Sequence, residues 1–186
     1  RTMYAAQSYG TDGVKADYKL RLKRAGLNAA FFLLVPGPKM IWQFGEIGYD
    51  YSITYNGDRT AKKPWVTDDY LKDADRKALY DTYSMLLKFR ADNPRFFDGD
   101  AQFRWGVGAS NNPGRYIFCT NGDGDTFALF GNFGTGEQTV KITLPSDATW
   151  YRYDDSSSEW KGSYHEPKMS EGQFYILVDD KSLCKK

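Results

Sequence analysis

The sequence predicts an α+β fold, and three observations carry that reading. Up to Asn93-Pro94 apolar residues recur at helical spacing. Beyond that point short alternating stretches are separated by turns rich in Gly, Asn and Asp. Between the two helical stretches lies a short run, residues 40–44, that is apolar on both faces apart from Gln43, the pattern of a strand covered on both sides. The expected organisation is therefore a helix–strand–helix segment over residues 1–95, followed by an antiparallel all-β sandwich over residues 96–186.

The first helix is expected over residues 14–34. Tyr18, Leu22 and Ala25 share one face among Lys19, Arg21, Lys23 and Arg24, while residues 27–34 are apolar nearly all round except for Asn28. A helix of that kind is buried by neighbours on several sides. Pro36-Gly37-Pro38 ends it, because proline removes a donor and restricts the residue before it. The strand at 40–44 then runs into a glycine loop marked by Gly45 and Gly48. Helix, Pro-Gly turn, buried strand and glycine loop together read as one step of an α/β wind. A polar excursion continues to about residue 72. The second helix starts at Asp73, a good N-cap, with Asp75 in its first turn. Leu79, Tyr80, Tyr83, Leu86 and Leu87 form its apolar stripe, and Asn93-Pro94 stops it.

Strands are expected over residues 102–107, 115–120, 126–132, 138–144, 149–153, 166–169 and 173–178. The punctuation is at 110–114, 121–125, 134–136 and 154–155. Alternation at the fifth of these strands sets Trp150 with Arg152 on one face and Tyr151 with Tyr153 on the other. Asn121-Gly-Asp-Gly-Asp125 invites a calcium reading, but the carboxylate that an EF-hand wants at its twelfth position is Asn132 here, so a hairpin turn is expected.

Composition narrows the function. With 25 basic and 24 acidic residues evenly spread, the basic stripe of a nucleic-acid binder is missing. The longest apolar run, residues 29–36, falls far short of the roughly 20 residues of a membrane span. Cys119 and Cys184 permit one disulfide without requiring it, and His165 has no serine–acid or cysteine partner pattern around it. Aromatics at 17% supply core rings and, around residues 150–164, a possible sugar-binding face.

Residues 36–50, Pro-Gly-Pro-Lys-Met-Ile-Trp-Gln-Phe-Gly-Glu-Ile-Gly-Tyr-Asp, resemble the eighth barrel strand and adjoining loop of the α-amylase superfamily of glycoside hydrolases. Gly45, Glu46 and Gly48 stand at that family's Gly-x-Glu-x-Gly-like loop positions. The stretch from Asp75-Arg76 to Asn93-Pro94 resembles the family's last barrel helix, and Arg1-Thr2-Met3-Tyr4 resembles the segment just after its last catalytic motif. The resemblance implies that residues 1–95 are the C-terminal remnant of a (β/α)₈ barrel and that the rest is the sandwich domain after it. It implies a retaining hydrolase of α-glucans such as starch or maltodextrin, whose catalytic carboxylates lie before Arg1, so that no catalytic residue is assigned here and the chain alone is expected to be inactive. Because active sites of such barrels lie on the loops at the strands' C-terminal ends, Gln43, Glu46, Tyr49 and Asp50 are the candidate substrate-binding residues. For Glu46 a structural role, holding the loop and its neighbours in place, is favoured over direct sugar contact. No metal or other cofactor is expected in this chain; calcium, where the family carries it, would sit in the remainder of the barrel. A polysaccharide-degrading parent favours a secreted or periplasmic setting. Two other readings stay open: a non-catalytic starch-binding module acting through residues 150–164, and the tail of a glucan transglycosylase or branching enzyme. The apolar surface of residues 27–34 and 40–44 is expected either to drive self-association or to pack onto the sandwich.

Overall fold

The computed structural model describes residues 2–10, 12–108 and 112–185. Arg1, and Ser110 and Asn111 of the expected turn at 110–114, lie outside the described residues. Two short helices, α1 (Thr2–Tyr9) and α2 (Asp12–Ala16), precede the expected first long helix, α3 (Tyr18–Leu33). That helix starts four residues later than the apolar pattern suggests because Asp17 caps it, accepting the Leu20 amide at 2.9 Å. A single-turn helix, α4 (Thr67–Tyr70), leads to α5 (Ala74–Asp92). Asp73 caps α5 as expected, accepting the amides of Asp75 and Arg76.

Among the described residues ten strands come next: β1 (Gln102–Val107), β2 (Gly114–Thr120), β3 (Thr126–Asn132), β4 (Gln138–Thr139), β5 (Ile142–Thr143), β6 (Thr149–Arg152), β7 (Asp155–Lys161), β8 (Tyr164–His165), β9 (Lys168–Met169) and β10 (Phe174–Val178). Six make one antiparallel sheet in the order β1-β2-β3-β10-β6-β7. The expected strand at 138–144 is split into β4 and β5, which pair with β9 and β8. The split has a plain cause. Pro167 stands where the ladder crosses, and proline has no N–H to donate; its carbonyl still accepts the Val140 amide at 2.9 Å. The four short strands are thus one interrupted antiparallel ribbon.

Alternation along the strands decides what each face meets. Ile117, Cys119, Phe127, Leu129, Ile176 and Val178 point to one side, where they pack with Ala30, Leu33 and Leu34 at the end of α3 and with Leu86 and Phe89 of α5. Phe89 is the hinge of this core, with Phe127 edge-on at 5.2 Å and Tyr153 at 4.8 Å. Phe118, Ala128, Phe130, Trp150 and Leu177 point to the other side, beneath Val140, Ile142, Leu144 and Met169 of the ribbon. The central strand β3 is buried at every position because both its faces are covered. The architecture is therefore α+β, with helices on one face of a six-stranded antiparallel sheet and a ribbon on the other.

Both cysteines are buried free thiols. Cys119 donates to the Phe96 carbonyl at 3.2 Å, and burial pushes its pKa up to about 11. The Asn121–Asp125 stretch is a turn, as expected: the Asn121 side-chain oxygen accepts the amides of Asp123 and Asp125, and Gly124 takes φ 98°. No helix among the described residues is long and apolar enough to cross a membrane.

The expected strand at 40–44 is not one. No strand among the described residues lies beside it, and it forms no ladder. An apolar run becomes a buried strand only when neighbours supply hydrogen bonds to both its edges. Without them residues 38–42 take an irregular path, with Met40 73% and Trp42 52% exposed.

Candidate functional site

The loop after residues 38–42 is held by side chains in place of a ladder. Its entry is fixed first. Arg90 of α5 reaches back to the C-terminal end of α3 and donates to the carbonyls of Leu33 at 2.6 Å and Val35 at 3.0 Å, while its guanidinium lies 4.0 Å over the Phe97 ring. These carbonyls at a helix end have no intrahelical donor, so a cation there satisfies both hydrogen bonding and the helix dipole.

The chain then turns sharply. The Gly45 amide donates to the Trp42 carbonyl at 2.8 Å, and Phe44, inside that turn, adopts φ 59°, ψ 15°. This left-handed conformation usually falls to Gly or Asn. A single 3₁₀ turn, Gly45–Ile47, comes next, and Gly48 leaves it at φ 68°. A side chain at Gly48 would be strained by the backbone and would also meet Leu22 Cδ2 at 2.6 Å.

Arg76, in the first turn of α5 and 6% exposed, is the centre of the assembly. It donates to the carbonyls of Ile47, at 2.9 Å, and Gly48, and to Asp50 Oδ2 at 2.9 Å. Its guanidinium lies 3.5 Å over the Tyr70 ring and 5.2 Å from that of Tyr18. Tyr70 donates its hydroxyl to Asp50 Oδ1, and burial, aided by that carboxylate, raises the phenol's pKa well above the ordinary tyrosine range. Tyr49 is buried, with its hydroxyl donating to the Pro64 carbonyl at 3.1 Å.

Of the four candidate residues, then, Tyr49 and Asp50 point inward and are tethered. Gln43 is exposed and Glu46 half-buried; both line an open surface cavity of about 500 Å³ with Trp42, Phe44, Tyr80 and Leu87. Trp42 also lines a neighbouring hollow of about 220 Å³ with Phe32 and Met40, so the exposed apolar side chains form one continuous face. In the 150–164 region Trp150 and Tyr153 are core residues, fully buried on opposite faces of the sheet. Trp160 is half-buried against Phe130 and Tyr175, with its ring edge-on to His165 at 5.0 Å, and only Tyr164 of this pair is exposed.

With this geometry in hand the chain can be set beside known proteins. It matches no family model and no curated protein. Among solved structures it is similar to the catalytic module of the multi-modular glycogen-degrading pneumococcal virulence factor SpuA, with a TM-score of 0.55 and 14% identity over 95% of this chain. The fold is shared. A product complex of the same virulence factor is similar at a TM-score of 0.50 and 14% identity over 96% of this chain. This chain spans 34% of the first solved chain and 25% of the second.

Sequence reasoning found the loop but missed its supports. Arg76 carries no local signal for its role, since its acceptors lie 26 to 29 residues away. Tyr70 and Trp65 fall in the stretch read simply as a polar excursion. A hint was available in Gly48, whose lack of a side chain leaves the backbone approachable.

Proposed function

We propose that this chain is the C-terminal part of an α-amylase-like retaining glycoside hydrolase acting on α-glucans. On this reading residues 1–95 are the end of its catalytic barrel and residues 96–186 its C-terminal sandwich domain. The observation that carries the reading is the loop Gly45–Asp50, pinned by a buried arginine between α3 and α5. Its support is a fold shared, over 95% of this chain, with a glycogen-degrading catalytic module.

Retaining hydrolysis needs two carboxyl groups about 5 Å apart, one as nucleophile and one as acid and then base. Asp50 is engaged by Arg76 and Tyr70, which leaves the half-buried Glu46 as the loop's other carboxylate. The catalytic pair is therefore proposed to come from the remainder of the barrel. Gln43 and Glu46 take the sugar-facing role by offering an amide and a carboxylate to glucan hydroxyls. Tyr49 and Asp50 act through the loop, holding its backbone where those two side chains can reach substrate. The exposed face of Phe32, Met40, Trp42, Tyr80 and Leu87 is read as the surface meeting the remaining barrel. It gives the isolated chain a tendency to self-associate that light scattering will register.

The test compares reducing-sugar release from starch and maltodextrin by the 186-residue chain and by a longer chain carrying the preceding coding sequence. The expected result is turnover by the longer chain alone, with the α-anomer appearing first by NMR. New α-1,6 branch points in place of reducing ends would assign a branching enzyme. Turnover by the 186-residue chain would overturn the proposal that the chemistry lies elsewhere; a longer chain inert on every α-glucan would overturn the hydrolase.

A further inference from the structure

Trp65 is 70% exposed, yet the chain on either side of it is fixed inward. The Pro64 carbonyl accepts the Tyr49 hydroxyl, and Val66 is buried in a cluster with Ile47 and Tyr49. The Trp65 ring is braced edge-on by Phe44, with ring centres 5.2 Å apart and planes at 87°. Phe44 in turn leans on Tyr49 at 5.6 Å, and Tyr49 on Tyr51 at 5.4 Å. Phe44 occupies the left-handed conformation described above, which is unfavourable for a residue bearing a side chain. Strain of this sort concentrates where surrounding structure over-determines a functional geometry. Here its effect is to set one aromatic ring beneath another that faces solvent.

Its neighbours in the chain distinguish this ring from the apolar face around Met40 and Trp42. Lys62, Asp68 and Asp69, close to it in the chain, are all exposed. A protein partner seeks a continuous apolar core of contact, which a single indole flanked in the sequence by these charged residues does not offer. A pyranose ring seeks the opposite: one flat, rigid apolar surface for its C–H face, with polar groups at the margin for its hydroxyls.

We infer that Trp65, braced by Phe44, is a stacking platform for a pyranose ring of the glucan chain, on the same loop assembly as Gln43 and Glu46. The α-glucan identity of that chain rests on the function proposed above; the platform itself rests on the ring geometry. Because the indole is preorganised, little ordering is required when a sugar arrives.

Isothermal titration of the 186-residue chain with maltoheptaose and with cellohexaose tests this. Trp65→Ala is expected to weaken maltoheptaose binding about tenfold or more, and Trp65→Tyr to restore it to within about threefold. Both variants should melt at the wild-type temperature, since the side chain is exposed. Equal affinity of wild type and Trp65→Ala would overturn the platform and leave the hydrolase proposal standing. Absence of binding to either sugar would overturn it too, with the hydrolase still to be judged by turnover of the longer chain. Trp65-dependent binding of cellohexaose alone would uphold the platform and overturn the α-glucan reading.

Discussion

The six-stranded sheet and the loop of residues 38–66 are both well defined, but by opposite means. β2 and β3 are joined through seven facing residue pairs, and the sheet is covered by helices on one face and by a ribbon on the other. Its shape is over-determined, since many small contributions agree. The loop has no ladder. Its path rests on a few side chains, with Arg76 holding two carbonyls and a carboxylate, Tyr70 holding Asp50, and Tyr49 holding Pro64. A site built this way can present an irregular surface to a ligand, at the cost of depending on single residues.

Four substitutions test that contrast, in decreasing order of their cost. Phe89→Ala removes the ring at the centre of the helix–sheet core and should cost about 4 kcal/mol by urea denaturation. The loss should be shared by all slowly exchanging amides in the sheet. Arg76→Met should cost about 3 kcal/mol, because it leaves two buried carbonyls without their donor and Asp50 with Tyr70 alone. Hydrogen exchange should show that loss concentrated at residues 45–50 and 70–76. A uniform loss across the sheet would mean that loop and sheet are not separable. Gly48→Ala combines a positive φ with a 2.6 Å approach to Leu22, and about 2 kcal/mol is expected by the same titration.

Asp73→Ala removes the N-cap of α5 and should cost about 1 kcal/mol at neutral pH. Amide hydrogen bonds, from Arg76 first, hold the Asp73 carboxyl below its ordinary value of 3.8. A carboxyl with a depressed folded pKa contributes stability that is fully present above the unfolded value and lost as pH falls through the folded one. The gap between wild type and Asp73→Ala should therefore be constant above about pH 5 and narrow below pH 3.8. Urea titrations at several pH values check this; a gap that widens on acidification would contradict the assignment.

Legibility in the sequence divides along the same line. α5 was readable because its cap and its apolar stripe are local, and β2, β3 and β10 because their apolar runs are bounded by turns. β7 escaped notice: Ser156-Ser157-Ser158-Glu159 shows no apolar alternation, and as an edge strand it needs none. Residues 40–44 read as a strand for the converse reason, since composition reports the wish to be buried and not the presence of a partner to bond with. The glycine loop was visible through Gly45, Glu46 and Gly48, whereas its support by Arg76 arises only when α5 packs beside it.

The central claim, that the Arg76-held loop and not the sheet carries the glucan-facing surface, can be tested by mapping amide chemical shifts of the labelled chain during maltoheptaose titration. The expected perturbations fall on residues 42–50 and on Trp65 and its neighbours, with the sheet unmoved. Perturbations confined to residues 150–165, with the loop silent, would contradict the claim and move the sugar-binding surface to the sheet.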